Sequence, residues 1–296
     1  MRISNNQFFG AFLRNDEIRQ KKLERYSSQI SSGKRILKPS DDTVALANSL
    51  KLKETNSQID QYLRNITTVS ARQQTAETAL SNIFETTQEA RVEIVRLLNH
   101  GVLDQEDADI VANYLGGLKQ YIVDQANTKL DNVYLFGGTK SSTAPFGSDG
   151  TYQGNEKVET IPVSTGYELQ GTFNGKVAFG AIGGKLKVVE VLDQIINAIN
   201  SGDLTNVTEN MLQEFDQGME AISKYRSFIG AQAANLDEIR LQHETKKTFF
   251  NEMISDLEDA NIADSITKME QAKMAYEASM AVFNQNKELS LLKYFQ

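Results

Sequence analysis

The chain of 296 residues has no cysteine, no tryptophan, three prolines and only two histidines, His100 and His243. Without thiols it has no disulfide scaffold, no thiol catalysis and no thiolate metal site. Two histidines in separate segments are too few for a zinc site or a histidine-based triad. A net charge of −8 argues against nucleic acid as the main partner. No apolar run approaches the roughly 18 residues of a membrane span. The start, Met1-Arg2-Ile3-Ser4-Asn5-Asn6, lacks the apolar segment of a cleaved secretory signal. By these rules the chain reads as a soluble intracellular protein. It is 40% apolar, too rich for a disordered chain, and long enough for about two domains.

What is present is unevenly spread. Eleven of the 19 glycines fall between Gly137 and Gly184, and the flanks are poor in helix breakers. That arrangement predicts helix, then a small β region, then helix. From Leu52 to Leu97 one heptad register collects Leu52, Thr55, Ile59, Tyr62, Ile66, Val69, Gln73, Ala76, Leu80, Ile83, Thr87, Ala90, Ile94 and Leu97. Eleven of these 14 are apolar, about twice what composition alone would give. A seam held this long predicts one long packed helix, spanning roughly 70 Å at about 1.5 Å per residue. Pro39 disfavours helix at Lys38, Ser40 is placed to cap, and Asp41 and Asp42 suit the positive end of the helix. Further helices are expected over 104–129 (across Gly116-Gly117), 185–200 and about 207–259. Between them, 151–153, 158–164, 167–172 and 177–179 read as strand fragments. The expected turns are Asp149-Gly150, Gly154-Asn155 and Asn174-Gly175.

Each end carries an amphipathic stripe about 35 residues long. Phe9, Phe12, Asp16, Arg19, Leu23, Tyr26 and Ile30 share a seam at the start. Ile262, Ile266, Met269, Lys273, Tyr276, Met280, Phe283 and Lys287 share one at the end. Residues 1–40 hold nine Lys/Arg against three Asp/Glu, and residues 252–296 hold four against eight. Opposite charge on two stripes of equal length favours their pairing. A pair this thin buries little alone, so each stripe is expected to be completed by neighbouring copies.

Other patterns are better explained by structure. The basic start (Lys21, Lys22, Arg25, Lys34, Arg35) has no stacking aromatics or helix-turn-helix spacing, so it reads as a solvated face. Asp104, Glu106, Asp107 and Asp109 lack the glycine and closing glutamate of an EF-hand and suit a helix start. Neither Gly137-Gly138 nor Gly183-Gly184-Lys185 continues into a phosphate loop. His243 is a lone histidine on a helix. No cofactor, metal or catalytic constellation is indicated.

Three segments resemble the bacterial flagellin family. They are Ser31-Ser32-Gly33-Lys34-Arg35-Ile36-Leu37-Lys38-Pro39-Ser40-Asp41-Asp42; Leu257-Glu258-Asp259-Ala260-Asn261-Ile262-Ala263 with Gln271-Ala272 and Leu289-Ser290-Leu291-Leu292; and Asn132-Val133-Tyr134-Leu135-Phe136-Gly137-Gly138 with Thr143-Ala144-Pro145-Phe146. Asn261 stands where the family commonly has an acid. The third segment is closer to the family's hook-associated branch than to flagellins proper. The resemblance implies a mainly α fold, a long antiparallel helical rod or coiled coil built from N- and C-terminal segments, with a small inserted antiparallel β region. The expected domains are an N-terminal arm, 1–40, joined with 262–296; a helical rod, 41–136 and 185–261; and a Gly-rich β region, 137–184. It further implies a structural protein, exported unfolded or partly folded through the flagellar type III channel without a cleaved signal, and located at the hook–filament junction. That destination replaces the intracellular reading. The implied partners are copies of itself, a neighbouring hook-associated protein, flagellin and an export chaperone, with no nucleic acid and no membrane. The residues expected to carry assembly are Phe8, Phe9, Phe12, Leu23, Tyr26 and Ile30 in the first arm, and Ile266, Met269, Tyr276, Met280, Phe283 and Leu292 in the second. A filament-forming flagellin is the alternative; an enzyme or ligand-binding protein built on the Gly-rich centre is a second.

Overall fold

A computed structural model describes residues 2–98, 105–181, 184–202 and 204–292, with side chains at all of these except 2–6, 8, 9, 204 and 286–292. His100, Asp104 and Gly183 lie outside the described residues. In chain order the elements are α1 (Arg2–Ser32), α2 (Thr43–Leu98), α3 (Gln105–Ala126), β1 (Lys129–Leu130), β2 (Val133–Tyr134), β3 (Thr160–Ser164), β4 (Tyr167–Gln170), α4 (Gly175–Ala178), α5 (Lys187–Asn200), a 3-10 turn (Leu204–Asn206), α6 (Glu209–Glu258) and α7 (Ile262–Leu292). The fold is mainly α with a small β insertion. Two compact units divide it: residues 1–57 with 245–296, and residues 58–244. The breaks between α1 and α2 and between α6 and α7 contain positions 40/41 and 261/262.

Helix α2 starts two residues later than a cap at Ser40 would give. Asp42 is the cap: its Oδ1 accepts from the Ala45 N–H at 2.9 Å, and its carbonyl from the Leu46 N–H at 3.0 Å. Asp41 folds back instead, accepting from the Leu37 and Lys38 N–H groups at 3.0 and 2.9 Å. A carboxylate two residues beyond Ser40 satisfies the orphan donors better than the serine hydroxyl does.

In the second unit the heptad seam forms the inner face of α2. Ile59, Ile66, Val69, Gln73, Ala76, Leu80, Ile83, Thr87, Ala90, Ile94 and Leu97 are all buried. Tyr62 is half-buried, while Thr55, in the first unit, faces solvent. Against this face pack α3, α5 and the first half of α6. Helix α5 contributes Val188, Val189, Val191, Leu192, Ile195 and Ile199, which recur at helical spacing. Gly116 and Gly117 do not break α3, which runs through them on the strength of Val111, Leu115, Ile122 and Val123 in the core. Tertiary packing outweighs the weak propensity of the glycines.

The β region is sparser than the sequence suggested. Strands β1 and β2 form an unanticipated hairpin whose turn residues, Asp131 and Asn132, both have positive φ (50° and 64°), the signature of a type I′ turn. Strands β3 and β4 pair antiparallel, Ile161 opposite Leu169, with an irregularity between Pro162 and Ser164. Val163 and Leu169 from this hairpin close over Ile66 and Val69 of α2 and Leu236 of α6. Residues 151–153 make only isolated bridges, from Tyr152 to Phe146 and from Thr151 to Lys185. Val177 to Phe179, expected as strand, is helical turn and cap: Asn174 Oδ1 accepts from the Lys176 N–H at 2.9 Å and starts α4. Asn174-Gly175 is thus a helix start rather than a hairpin turn.

The Asn132–Phe146 segment supplies the aromatic centre of the second unit. Phe136 meets Phe179 edge-on at 5.0 Å between centroids, and Phe179 meets Phe146 at 5.4 Å. Gly138, at φ +65°, has no room for a side chain, because a Cβ there would lie 2.4 Å from the Asn155 carbonyl oxygen. Removing the Phe179 ring leaves a cavity among fully buried rings. Phe179→Ala is expected to lower stability by about 3–5 kcal/mol, read as a lower urea midpoint for the full chain.

Candidate assembly interface

Helices α1 and α7 pack along their stripes. Phe12 stacks on Phe283 with centroids 4.2 Å apart and planes 20° from parallel. Leu23, Tyr26 and Ile30 of α1 and Met269, Tyr276 and Met280 of α7 are half-buried on the facing sides. No apolar residue of either helix from Ala11 to Ile30 or from Ile262 to Phe283 reaches full burial. Ile266 is 40% exposed. Side chains of Phe8, Phe9 and Leu292 lie outside those described. Most of the residues expected to carry assembly are therefore used first between the two ends of one chain.

Sequence periodicity did not single out the apolar residues that remain outside. Leu13, Ile18, Met274 and Val282 are each more than half exposed. A shallow groove of about 380 Å³ runs beside the pair, between Phe12, Asn15 and Arg19 on α1 and Ala275, Ala278 and Val282 on α7. Polar groups interrupt the seam. Ser265 is buried, and Gln29 is buried with its Nε2 donating to the Arg35 carbonyl at 2.9 Å. Asp16 is 9% exposed, and its Oδ1 has no hydrogen-bond partner. Among the described residues its Oδ2 receives the Gln20 amide alone, at 3.4 Å.

Two of the three recognised segments meet in space although more than 220 positions separate them. Gly33, at φ +69°, ends α1, and the chain then runs antiparallel to the α6–α7 corner. The Arg35 N–H donates to the Glu258 carbonyl at 2.6 Å, and the Ala260 N–H donates to the Gly33 carbonyl at 2.9 Å. The Arg35 guanidinium reaches the Leu257 carbonyl at 2.7 Å and Asp42 at 3.1 Å. Lys34 Nζ lies 2.6 Å from Asp259 and 3.4 Å from Glu258. Glu258 itself is buried, and its Oε1 accepts from both Ser49 and Lys53. One turn further along α2, the Asn56 amide donates to Asn251 at 2.8 Å. Glu258, Ser49 and Lys53 were not singled out from sequence. The surplus of cations in one segment and of acids in the other was the available signal.

Among the described residues no group of three or more His, Cys, Asp or Glu is placed to hold a metal, and no helix is long and apolar enough to cross a membrane. His243 is buried in the second unit, its Nε2 2.9 Å from the Val163 carbonyl and its ring stacked on Tyr62. That histidine anchors the β3–β4 hairpin.

Comparison with known proteins agrees with this geometry at both ends of the chain. The bacterial flagellin N-terminal helical region matches residues 3–141, and the bacterial flagellin C-terminal helical region matches residues 212–295. The chain is 24% identical to flagellar hook-associated protein 3 of Escherichia coli (strain K12) over 315 aligned residues, covering 99% of each. A solved flagellar hook-associated protein from Vibrio parahaemolyticus aligns with a TM-score of 0.68 at 25% identity, covering 74% of this chain and 100% of that one. The flagellar junction protein of Legionella pneumophila, 16% identical, shares the fold with a TM-score of 0.59 over 72% of this chain and 100% of its own.

Charge makes the joint sensitive to pH. Burial pushes the Glu258 carboxyl up, but hydrogen bonds from Lys53 and Ser49 and the Lys53 charge outweigh it, leaving the group below its ordinary value of 4.5. Asp259 is lowered from 3.8 by the hydrogen bonds of Lys34 and Ser255, and Lys34 is raised from 10.5 by Asp259. Depressed carboxylates stabilise the folded joint above their unfolded values, and that contribution disappears as pH falls through the folded ones. The raised lysine contributes below 10.5 and ceases to as pH rises through its folded value. The protection factors of the Arg35 and Ala260 amides are therefore expected to hold between these limits and to drop below about pH 4. Glu258→Gln should blunt the acid step.

Proposed function

Because the chain belongs to the bacterial flagellin family, we propose that it is a structural protein of the flagellum that joins hook to filament. The observation that carries this reading is the full-length likeness to hook-associated protein 3, together with the meeting of the two family segments at the Lys34–Glu258 joint. Its work is mechanical. The helical ends stack with those of neighbouring copies and cover the apolar side chains that α1 and α7 leave half-buried. Fully burying such a side chain contributes about 1.5–3 kcal/mol, and the gain is multiplied over both arms and many copies.

Export follows the flagellar type III route, without a cleaved signal, and a chain free of cysteine suits a narrow path that a disulfide would block. The partners are further copies of this chain, a neighbouring hook-associated protein on one side, flagellin on the other, and an export chaperone engaging the C-terminal region. In keeping with that mechanical role, the protein is read as a non-enzyme. Deleting it from its host is expected to give cells with hooks, flagellin shed into the medium and no attached filaments. Filaments that persist would refute the junction role. Purified chain that polymerises alone into long filaments would turn the reading toward a flagellin proper.

A further inference from the structure

Helix α1 divides into three sectors at about 100° per residue. One is the seam facing α7, through Phe12, Arg19, Leu23, Tyr26 and Ile30. A second, exposed sector holds Arg14, Lys21, Lys22 and Arg25 around Ile18, which is 52% exposed. The third holds exposed Glu17, Gln20 and Glu24 around Leu13, 64% exposed, and borders the buried Asp16. The exposed acids of α1, Glu17 and Glu24, both lie on this third flank. Except for Lys21 with Glu17 at 2.6 Å, none of these charged side chains forms an ion pair among the described residues. Two oppositely charged faces, each centred on an exposed aliphatic residue, lie roughly a third of a turn apart on one helix.

Resting on the assembly reading above, we infer that the basic face of α1 in one copy docks on the acidic flank of α1 in a second copy. The contact puts Ile18 against Leu13 and brings Lys22 and Arg25 toward Glu17 and Glu24. Glu17 and Glu24 are exposed and open to a cation from outside the chain, whereas Asp16 Oδ1 is enclosed at the seam. Helix α7 is the poorer acceptor: Asp264 and Glu277 already pair with Lys268 and Lys273, and among its described acids Glu270 alone forms no ion pair. Because the two faces differ, the contact is head-to-tail. Each copy keeps one face of each kind free, so the contact propagates from copy to copy instead of closing as a two-fold dimer.

Charge reversal tests this in cells lacking the native chain. Lys22→Glu with Arg25→Glu is expected to abolish attached filaments while the chain still reaches the medium, and Glu17→Lys with Glu24→Lys should do the same. All four changes in one chain should restore filaments, because every copy then carries both faces exchanged. Reversals that leave filaments intact, or a fourfold variant that stays defective, overturn the contact. So does loss from the basic-face variant alone, which would place α7 or another protein on that face. Native chain failing to support filaments at all would count against the junction role instead.

A second measurement is independent of export. The absence of native cysteine allows full-length Leu13→Cys and Ile18→Cys chains to be mixed under mild oxidation. Mixed disulfide dimers are expected to exceed either homodimer, and Glu24→Gln in the Leu13→Cys chain should lower their yield. Equal homodimer and heterodimer yields, or none of either, contradict the inference.

Discussion

The buried carboxylate of Glu258 ties together what the chain's ends must do. It receives Ser49 and Lys53 from α2 and lies beside Lys34 from the turn after α1, while its own backbone pairs with Arg35. Through these groups the start of α2 and the end of α6 are held side by side, and α1 and α7 leave that joint as neighbours. The two arms can meet in register because the joint fixes where both begin. A buried charge with all its partners adds modest net stability, but removing one partner leaves a costly unpaired ion. Its effect is therefore on the specificity of the arrangement more than on the depth of the fold.

The two units solve the problem of an amphipathic helix differently. In the second, the seam of α2 is covered on successive sides by α3, α5, α6 and the β3–β4 hairpin, and the aromatic centre around Phe136 and Phe179 is fully enclosed. In the first, α1 and α7 cover each other, and among the described residues their apolar seam stays half-buried. A two-helix pair of this length exposes too much of its stripe to be strongly stable alone. That shortfall is what a subunit needs if it is to gain order from its neighbours.

The long helices were legible because their apolar spacing is a property of the chain itself: Ile59 to Leu97 falls on one face whatever the tertiary detail. The pairing of the two ends was legible from stripe length and opposite charge. The cap at Asp42 was missed by two residues because Ser40 satisfies the same local rule, and only the folded backbone decides between them. Val177 to Phe179 looked like strand from its residue types, yet Asn174 and the close approach of Gly175 to Phe136 impose a helical turn. Glu258 could not be read as buried, since burial of a charge depends on partners more than 200 residues away. The unaligned faces of α1 needed the structure too, for only knowing which side meets α7 reveals which charges remain outside.

Residue-resolved hydrogen exchange on the full-length chain, first dilute and then within isolated hook–filament junctions, tests most directly whether the ends gain order from like neighbours. The account predicts fast exchange over residues 10–30 and 262–283 in dilute solution, slow exchange in α3 and α5, and strong protection of both arms after assembly. Arms as protected in the lone chain as α3 is, with no change on assembly, would contradict it.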